Sequence, residues 1–511
     1  MSVAHLRLQI AVEALPAFSR LYASDPFAFL CESLGEAGRN RYSFFGGRPT
    51  HIHRSHPDGI TIEEMATGAF RADPRDLLDS IRSVLEGSEA FPGVSPFSSG
   101  VVGYLGYDIV RRFERLPASP PDPEGLPDSI LLVPSEIVVV DHQNAITDIV
   151  VHGSGSDARA AEIRDRLETC SGPEPFMRTQ RAEATLRPLT ARPDFEAGVD
   201  RILEHIREGD IFQGVLSQRF EAAFAGDPLD LYRALRKTNP SPYMYFLKLG
   251  ATHAVLGSSP EVLVSLEGRR AMTRPLAGTR PRGVSPESDR LHAENLLADE
   301  KERAEHVMLV DLARNDLGRV CEYGSVLVTR QFEVERHARV MHIFSEVEGQ
   351  LGKESDALDL LRATFPAGTV TGAPKVRAME IIDSLEPVRR GLYGGAIGYI
   401  DPAGRMDLCL AIRTLVVHHG RVLLQAGAGV VADSDPSREY EETKHKASAL
   451  VHALEVCAPS LVPNGPEHAE FTSVGARGSG GLSTSGPTSA APRLNEAEAE
   501  FTSVGARGSG G

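Results

Sequence analysis

The segment from Asp299 to Arg319, DEKERAEHVMLVDLARNDLGR, sets Glu302, Glu305, His306, Asp311, Arg314, Asn315 and Asp316 along one predicted helix. Asp299 with Glu302 three residues later is a capping-box start, and Gly318 is a stop. Ala304, Val307, Met308, Val310 and Leu312 leave little of its surface free of apolar neighbours, which predicts a buried helix. Carboxylates are rarely removed from water without a partner. Glu305 or its neighbours should therefore meet a cation, a metal or a substrate, and the helix alone fits a structural ion-pair network equally well.

Other segments carry chemistry around it. Gly209 to Arg219 is a turn feeding a strand and contains Gln213. Ser258-Ser-Pro-Glu261 lies between apolar runs, so Glu261 is placed at a strand edge. Arg274-Pro-Leu-Ala-Gly-Thr279 is a tight turn, and His342 follows an extended polar run. Pro366 to Lys375 is a glycine-rich loop entering a helix predicted over Val376 to Leu385, and Gly427-Ala428-Gly429 interrupts a strand. Backbone N–H groups at such turns bind carboxylate or phosphate. Arg413 and Lys446 add full positive charge, Arg in the planar form that matches a carboxylate. Glu305 and Glu442 could hold Mg²⁺, which takes oxygen ligands. Together the parts suit a small dianionic ligand. Each also has a plainer reading. Glu442 and Lys446 are four apart and could be a helix-surface pair. Arg413 could protect a strand edge, the Gly429 region could be a β-bulge, and His342 could be a core histidine. The loop at 366–375 lacks the GK[ST] ending of a nucleotide-binding P-loop.

The elements that must position these residues are α+β in pattern. Helices are predicted over Asp157–Cys170, Phe195–Glu208 and Ser437–Leu454, the last begun by Asp435-Pro436. Strands are predicted over Val215–Ala222, Tyr243–Leu249, Ala254–Leu266, Gly395–Ile400 and Arg421–Val431. They do not alternate regularly with helices, which favours antiparallel sheets over a doubly wound parallel one. Four regions follow: an N-terminal domain over 1–175, a linker over 176–192, a catalytic domain over 193–457, and a tail over 458–511. The tail is rich in Gly, Ser, Pro, Ala and Glu, repeats EFTSVGARGSGG, and is expected to be disordered.

A net charge of −16 with no basic run argues against nucleic acid as a partner. No window approaches a membrane span, and the first residues lack a signal-peptide pattern. The five cysteines show no CxxC or Cys/His spacing, which fits a reducing cytoplasm better than a disulfide framework or zinc site.

DEKERAEHVMLVDLARND, SSPE, PLAGT, FPAGTVTGAPK, GAGVVADSDP and the EET-x-x-K of Glu441 to Lys446 resemble the chorismate-utilising enzymes. The resemblance is dense over 193–455 and looser at Arg41-Tyr-Ser-Phe-Phe-Gly46 and Val101-Val-Gly-Tyr-Leu-Gly-Tyr-Asp108. It implies two antiparallel sheets packed as a sandwich, helices outside, the active site between the sheets, and Mg²⁺ between the substrate's ring carboxylate and Glu305 and Glu442. By the same resemblance Glu261 is the general acid, and Tyr393, Arg413, the amides of Gly427, Ala428 and Gly429, and Lys446 hold carboxylates. His342 and Thr369 lie in the site, His342 as a proton-transfer group. Gln213 stands where water-using members carry a lysine base, and an amide cannot deprotonate water. Ala277 stands where other members carry a nucleophilic lysine. The pair is similar to the anthranilate-forming members, which use ammonia. The chain has no cysteine in a G-x-C-x-G setting, so a glutamine amidotransferase subunit is the expected ammonia source. Leu30-Cys-Glu-Ser33 and Asn239-Pro-Ser-Pro-Tyr-Met244 resemble a tryptophan-binding feedback site, with Glu32, Ser33, Asn239, Pro242, Tyr243 and Met244 as contacts. An aminodeoxychorismate-forming enzyme and a non-catalytic tryptophan sensor are the alternatives.

Overall fold

Strand residues alternate between two destinations, and that alternation fixes the layers. On the strand Tyr243–Leu249, Phe246 enters a core shared with the helices Ala14–Tyr22, Ser156–Glu168, Pro228–Thr238 and Pro436–Cys457, whereas Tyr245 and Leu247 point the other way. On the strand Met406–Leu410, Met406 and Leu408 enter a different core under the helices Leu77–Glu86, Glu300–Gly318 and Ala357–Thr364, while Cys409 joins Tyr245 and Leu247. The central core is thus covered on both sides by strands, and each strand layer is covered by helices. The computed structural model describes residues 2–34, 41–117, 119–169, 186–337 and 340–457. The expected tail, 458–511, and most of the expected linker lie outside them.

The two layers form the expected antiparallel sandwich with helices outside, and they are joined as one continuous ladder. The long strands Tyr42–His56 and Ser129–Asp141 pair along nearly their whole length and feed both layers. One arm runs from Tyr42–His56 through Phe27–Glu32, Tyr243–Leu249, His253–Ser259, Thr414–His418 and Arg421–Val430 to Gln213–Ala223. The other runs from Ser129–Asp141 through Val101–Leu105, Ala396–Ile400, Met406–Leu410, Val262–Glu267 and Arg270–Thr273 to Val340–Gln350. The segments expected as two domains therefore share both arms, and Met1–Leu461 form one unit.

Several local expectations shift. The run 254–266 is two strands, because Pro260 has no N–H for a ladder and Glu261 turns the chain between them. Arg413 sits in the break between Met406–Leu410 and Thr414–His418 at φ 51°, not inside a strand. Gly427–Gly429 run through an unbroken strand in register with Ser217–Val215. Asp299 caps the helix Glu300–Gly318 by accepting from the N–H groups of Lys301 and Glu302. That helix is half buried rather than buried all round: His306, Leu309, Val310, Ala313, Asp316 and Leu317 face the protein, and Val307 is 45% exposed.

Between the arms, Glu386 and Arg390 form a buried pair at 2.6 Å. Arg390 also donates to the carbonyls of Val370 (2.6 Å) and Val215 (2.7 Å), and Glu386 accepts from the Ser217 N–H and hydroxyl. Breaking a buried pair by removing one partner costs about 3–5 kcal/mol. Arg390→Ala should lose stability of that order in urea unfolding, and a loss below about 1 kcal/mol would show that the pair is not the clamp it resembles.

Candidate functional site

Glu261 occupies the turn after His253–Ser259, and its carboxylate accepts from the Thr369 hydroxyl at 2.9 Å. Burial pushes this carboxyl up to about 7, against hydrogen bonds from Thr369 and the Leu276 N–H and against the positive fields of Arg413 and Lys446. A carboxyl in that range is protonated often enough near neutrality to act as an acid. Thr369 lies in a short 3-10 turn, Gly368–Val370, within the glycine-rich loop.

His342 lies on the strand Val340–Gln350, one residue before Ile343, which pairs with Ala277. Its Nδ1 is 2.8 Å from the Gly278 carbonyl and 3.2 Å from the Thr279 hydroxyl, and its Nε2 is buried without a partner. Burial, then the charge of Arg413, drives the imidazole down to about 3, so the ring is neutral near pH 7. A carbonyl only accepts, so Nδ1 carries the proton and Nε2 keeps a free lone pair. His342 is therefore not a satisfied core histidine.

Gln213 begins the strand Gln213–Ala223, and its Nε2 donates to Glu305 Oε1 at 2.8 Å. With the amino group committed to a carboxylate, Gln213 Oε1 is left as a buried acceptor with no partner. Burial raises the Glu305 pKa, the Gln213 bond opposes this, and the nearby carboxylates of Glu302 and Glu442 raise it further. Glycine at 429 keeps this corner open: a Cβ there would lie 2.8 Å from Gln213 Nε2 and 3.6 Å from Glu305 Oε1. At 427 a Cβ would lie 2.6 Å from the Tyr393 hydroxyl, which receives the Gly427 N–H. Ala428, between them, is fully buried and points away.

Lys446, on the helix Pro436–Cys457, donates to Glu442 at 2.7 Å and to the Gly427 carbonyl at 3.0 Å. Both side chains are 47% exposed, and the Glu442 carboxylate raises the Lys446 pKa. The pair is the i,i+4 contact anticipated from spacing, and its field also reaches Glu261, Glu305, His342 and Tyr393. Arg413 is half buried, and burial lowers its pKa against the attraction of Glu261. Its guanidinium makes no ion pair among the described residues, so it is the cation most ready for an anionic ligand. Lys375, at the end of the glycine-rich loop, is spent on Asp316 at 2.8 Å.

The donor set fits a hard divalent cation: Glu305 and Glu442 offer carboxylate oxygens, Glu302 adds like charge, and Gln213 Oε1 is an unused neutral oxygen. The groups that sequence reasoning missed are backbone atoms, the Leu276 N–H and Gly278 carbonyl, together with Thr279. All three lie on the strand Leu276–Pro281, where a tight turn was expected; Gly278, at φ 64°, sits where the pairing with Val340–Gln350 shifts register.

A second region lies beside the same end of His253–Ser259, where Tyr243 pairs with Ser259. Met244 pairs with Glu32, and the Leu34 N–H donates to the Ser241 carbonyl, so the segments around Ser33 and Pro242 are neighbours. The Glu32 carboxylate is already engaged by the Tyr232 hydroxyl at 2.7 Å and by Arg236 at 2.9 and 3.1 Å. The Tyr243 hydroxyl donates to Asp407 at 3.0 Å, and burial lifts that carboxyl to about 6. Asn239 donates to the Ser258 hydroxyl at 2.6 Å, and the Ser258 N–H donates to the Arg413 carbonyl at 3.1 Å. Tyr232, Arg236 and Asp407 had no motif to mark them.

Comparison with known proteins identifies the family. Residues 48–452 match the family model described as chorismate binding enzyme. The chain is 46% identical to anthranilate synthase component 1 of Streptomyces coelicolor, over 88% of this chain and 87% of that protein. It is 44% identical to the component 1 of Thermus thermophilus, over 87% and 96%. Its structure matches the crystal structure of anthranilate synthase component I from Streptococcus pneumoniae with a TM-score of 0.72 at 38% identity, covering 85% of this chain and 96% of that one. The menaquinone-specific isochorismate synthase from Escherichia coli shares the fold, with a TM-score of 0.68 at 20% identity over 89% and 95%.

The carbonyl band of protonated Glu261, identified by its loss in Glu261→Gln, should vanish in infrared spectra as pH rises through about 7. Thr369→Val removes a bond that lowers this pKa and should move the midpoint upward. A band gone by pH 5 would refute the buried acid.

Proposed function

This chain belongs to the chorismate-binding enzymes, in the anthranilate synthase component 1 family, and we propose that it converts chorismate and ammonia to anthranilate and pyruvate. What carries the reading is an acid and a base in one cleft. Glu261 is a carboxyl lifted to about 7, and His342 is a neutral imidazole whose Nε2 is free. Neither Gln213 nor Ala277 offers a side-chain amine or base, so the nucleophile is supplied from outside the chain.

In this reading Arg413, the Tyr393 hydroxyl and the amides near Gly427 to Gly429 hold the enolpyruvyl carboxylate, and Lys446 turns from Glu442 towards substrate carboxylate. Glu305 and Glu442 hold Mg²⁺, which when bound withdraws charge from the ring through its carboxylate. Gln213 Oε1 accepts an N–H of ammonia and so turns the nitrogen lone pair to ring C2. Glu261 gives its proton to the oxygen leaving C4, which departs as water. His342 Nε2 then takes the proton from C2 as pyruvate is expelled, and aromatisation drives that step. Ammonia comes from a separate glutamine amidotransferase subunit. Tryptophan is the feedback inhibitor at the region of Ser33 and Tyr243, and the Asn239–Ser258–Arg413 contacts support a link between that region and the cleft.

Purified protein with chorismate, Mg²⁺ and ammonium should release fluorescent anthranilate and equimolar pyruvate. An amine product without pyruvate would indicate the aminodeoxychorismate-forming reaction, and tryptophan binding without turnover would indicate a sensor. At constant free ammonia, kcat/KM should fall as pH rises through about 7, because the acid must be protonated. With no tryptophan in the chain, indole fluorescence reports the effector without background. Ser33→Leu should relieve inhibition while leaving turnover, and retained inhibition would remove that site.

A further inference from the structure

Beside Glu261, the glycine-rich loop and the helix Glu300–Gly318 line a cavity of about 30 Å³ to which neither Arg413 nor Lys446 contributes. A water needs roughly 10–15 Å³ of such space and two or more polar partners. The cavity's polar lining is Glu261, Asp316, Thr273, Thr364 and Thr369, and the rest is apolar. Each threonine hydroxyl has already committed its proton: Thr273 to the Leu263 carbonyl at 2.9 Å, Thr364 to the Leu360 carbonyl at 2.9 Å, and Thr369 to Glu261. All three therefore offer oxygen lone pairs only. A water in this chamber can donate to these oxygens and to the Asp316 carboxylate, and can accept from a protonated Glu261. Glu261 and Asp316 both line the chamber. Asp316 is paired with Lys375, whose side chain is 12% exposed and so reaches the surface.

We propose that a water in this chamber joins Glu261 to Asp316, and that Asp316 with Lys375 returns to Glu261 the proton it spends in each turnover. The inference rests on the reading of Glu261 as the general acid. Glu261 loses its proton to the oxygen leaving C4, and the C–O bond breaks with release of water. As the chamber water gives one proton to the Glu261 carboxylate it takes one from the ion pair, the Lys375 proton passing through Asp316. Lys375 is reprotonated from bulk solvent, which receives the matching proton shed by the nitrogen once it is bonded to C2. Atoms and charges then balance, and the path serves while the ligand closes the front of the cleft. Asp316 and Lys375 are positioning residues for this proton rather than contacts of the substrate.

The test uses the full chain and ammonium-dependent anthranilate formation in H₂O and D₂O. Asp316→Asn combined with Lys375→Met removes both charges and leaves none buried alone. Ala313→Leu keeps the ion pair and fills the chamber from the helix. Thermal melting checks that both are folded. Both should lower kcat about tenfold, within the range of single proton-transfer contributions, leave KM for chorismate within about twofold, and raise the solvent isotope effect. Unchanged kcat and isotope effect in either folded variant, with Glu261→Gln inactive, would overturn the relay and leave the acid intact. An active Glu261→Gln would overturn the acid and the relay with it.

Discussion

Burial is the largest influence on Glu261, Glu305, His342 and Tyr393, and one ammonium group, that of Lys446, reaches all four. Lys446 touches Glu442 and the Gly427 carbonyl. Carboxylates so crowded repel one another and raise each other's affinity for any positive charge. Lys446 supplies that charge from within the chain, and Arg413 supplies a second that also reaches Glu261 and His342. The acid and the base take opposite shifts from one cause. Burial disfavours the charged form of each, so Glu261 holds its proton and His342 refuses one.

The two arms of the ladder make this arrangement possible. Gln213 and Gly427–Gly429 come from one arm, and Ala277 and His342 from the other. Arg413 and Glu261 come from the breaks where chains pass between strands. The buried Glu386–Arg390 pair lies under Val215, Ser217 and Val370, so it ties the Gln213 strand to the loop that carries Thr369. Anchoring of this kind fixes hydrogen-bond geometry that isolated loops would not hold.

Much of this was legible in the sequence because turn chemistry and periodicity are local. Tyr243–Leu249 is a strand with the boundaries expected, and the Asp299 cap is where the spacing put it. Apolar density misled at Glu300–Gly318, since Ala304 and Val307 tolerate water and only one face meets the sheet. Arg413 was misplaced because its run reads as one strand, and a left-handed break leaves no mark on a residue that is not glycine. The orphaned atoms, Gln213 Oε1 and His342 Nε2, are properties of packing between distant segments and have no sequence signature. The pairing of Lys375 with Asp316 joins segments far apart in the chain, and only the fold shows it.

The backbone at Gln213 is held by pairing with Ala373 and Val430-adjacent strand residues, and that at Ala277 by Ile343. Both side chains project from ladders whose hydrogen bonds do not depend on them. On the proposed reading, the identity of the attacking group is thus separable from the scaffold, since a change at such a position need not disturb the ladder. A protein at 20% identity with the same architecture and a different named reaction is what such a division of labour permits. In evolutionary terms the ladder is the inherited part, and the nucleophile is the part left free to vary.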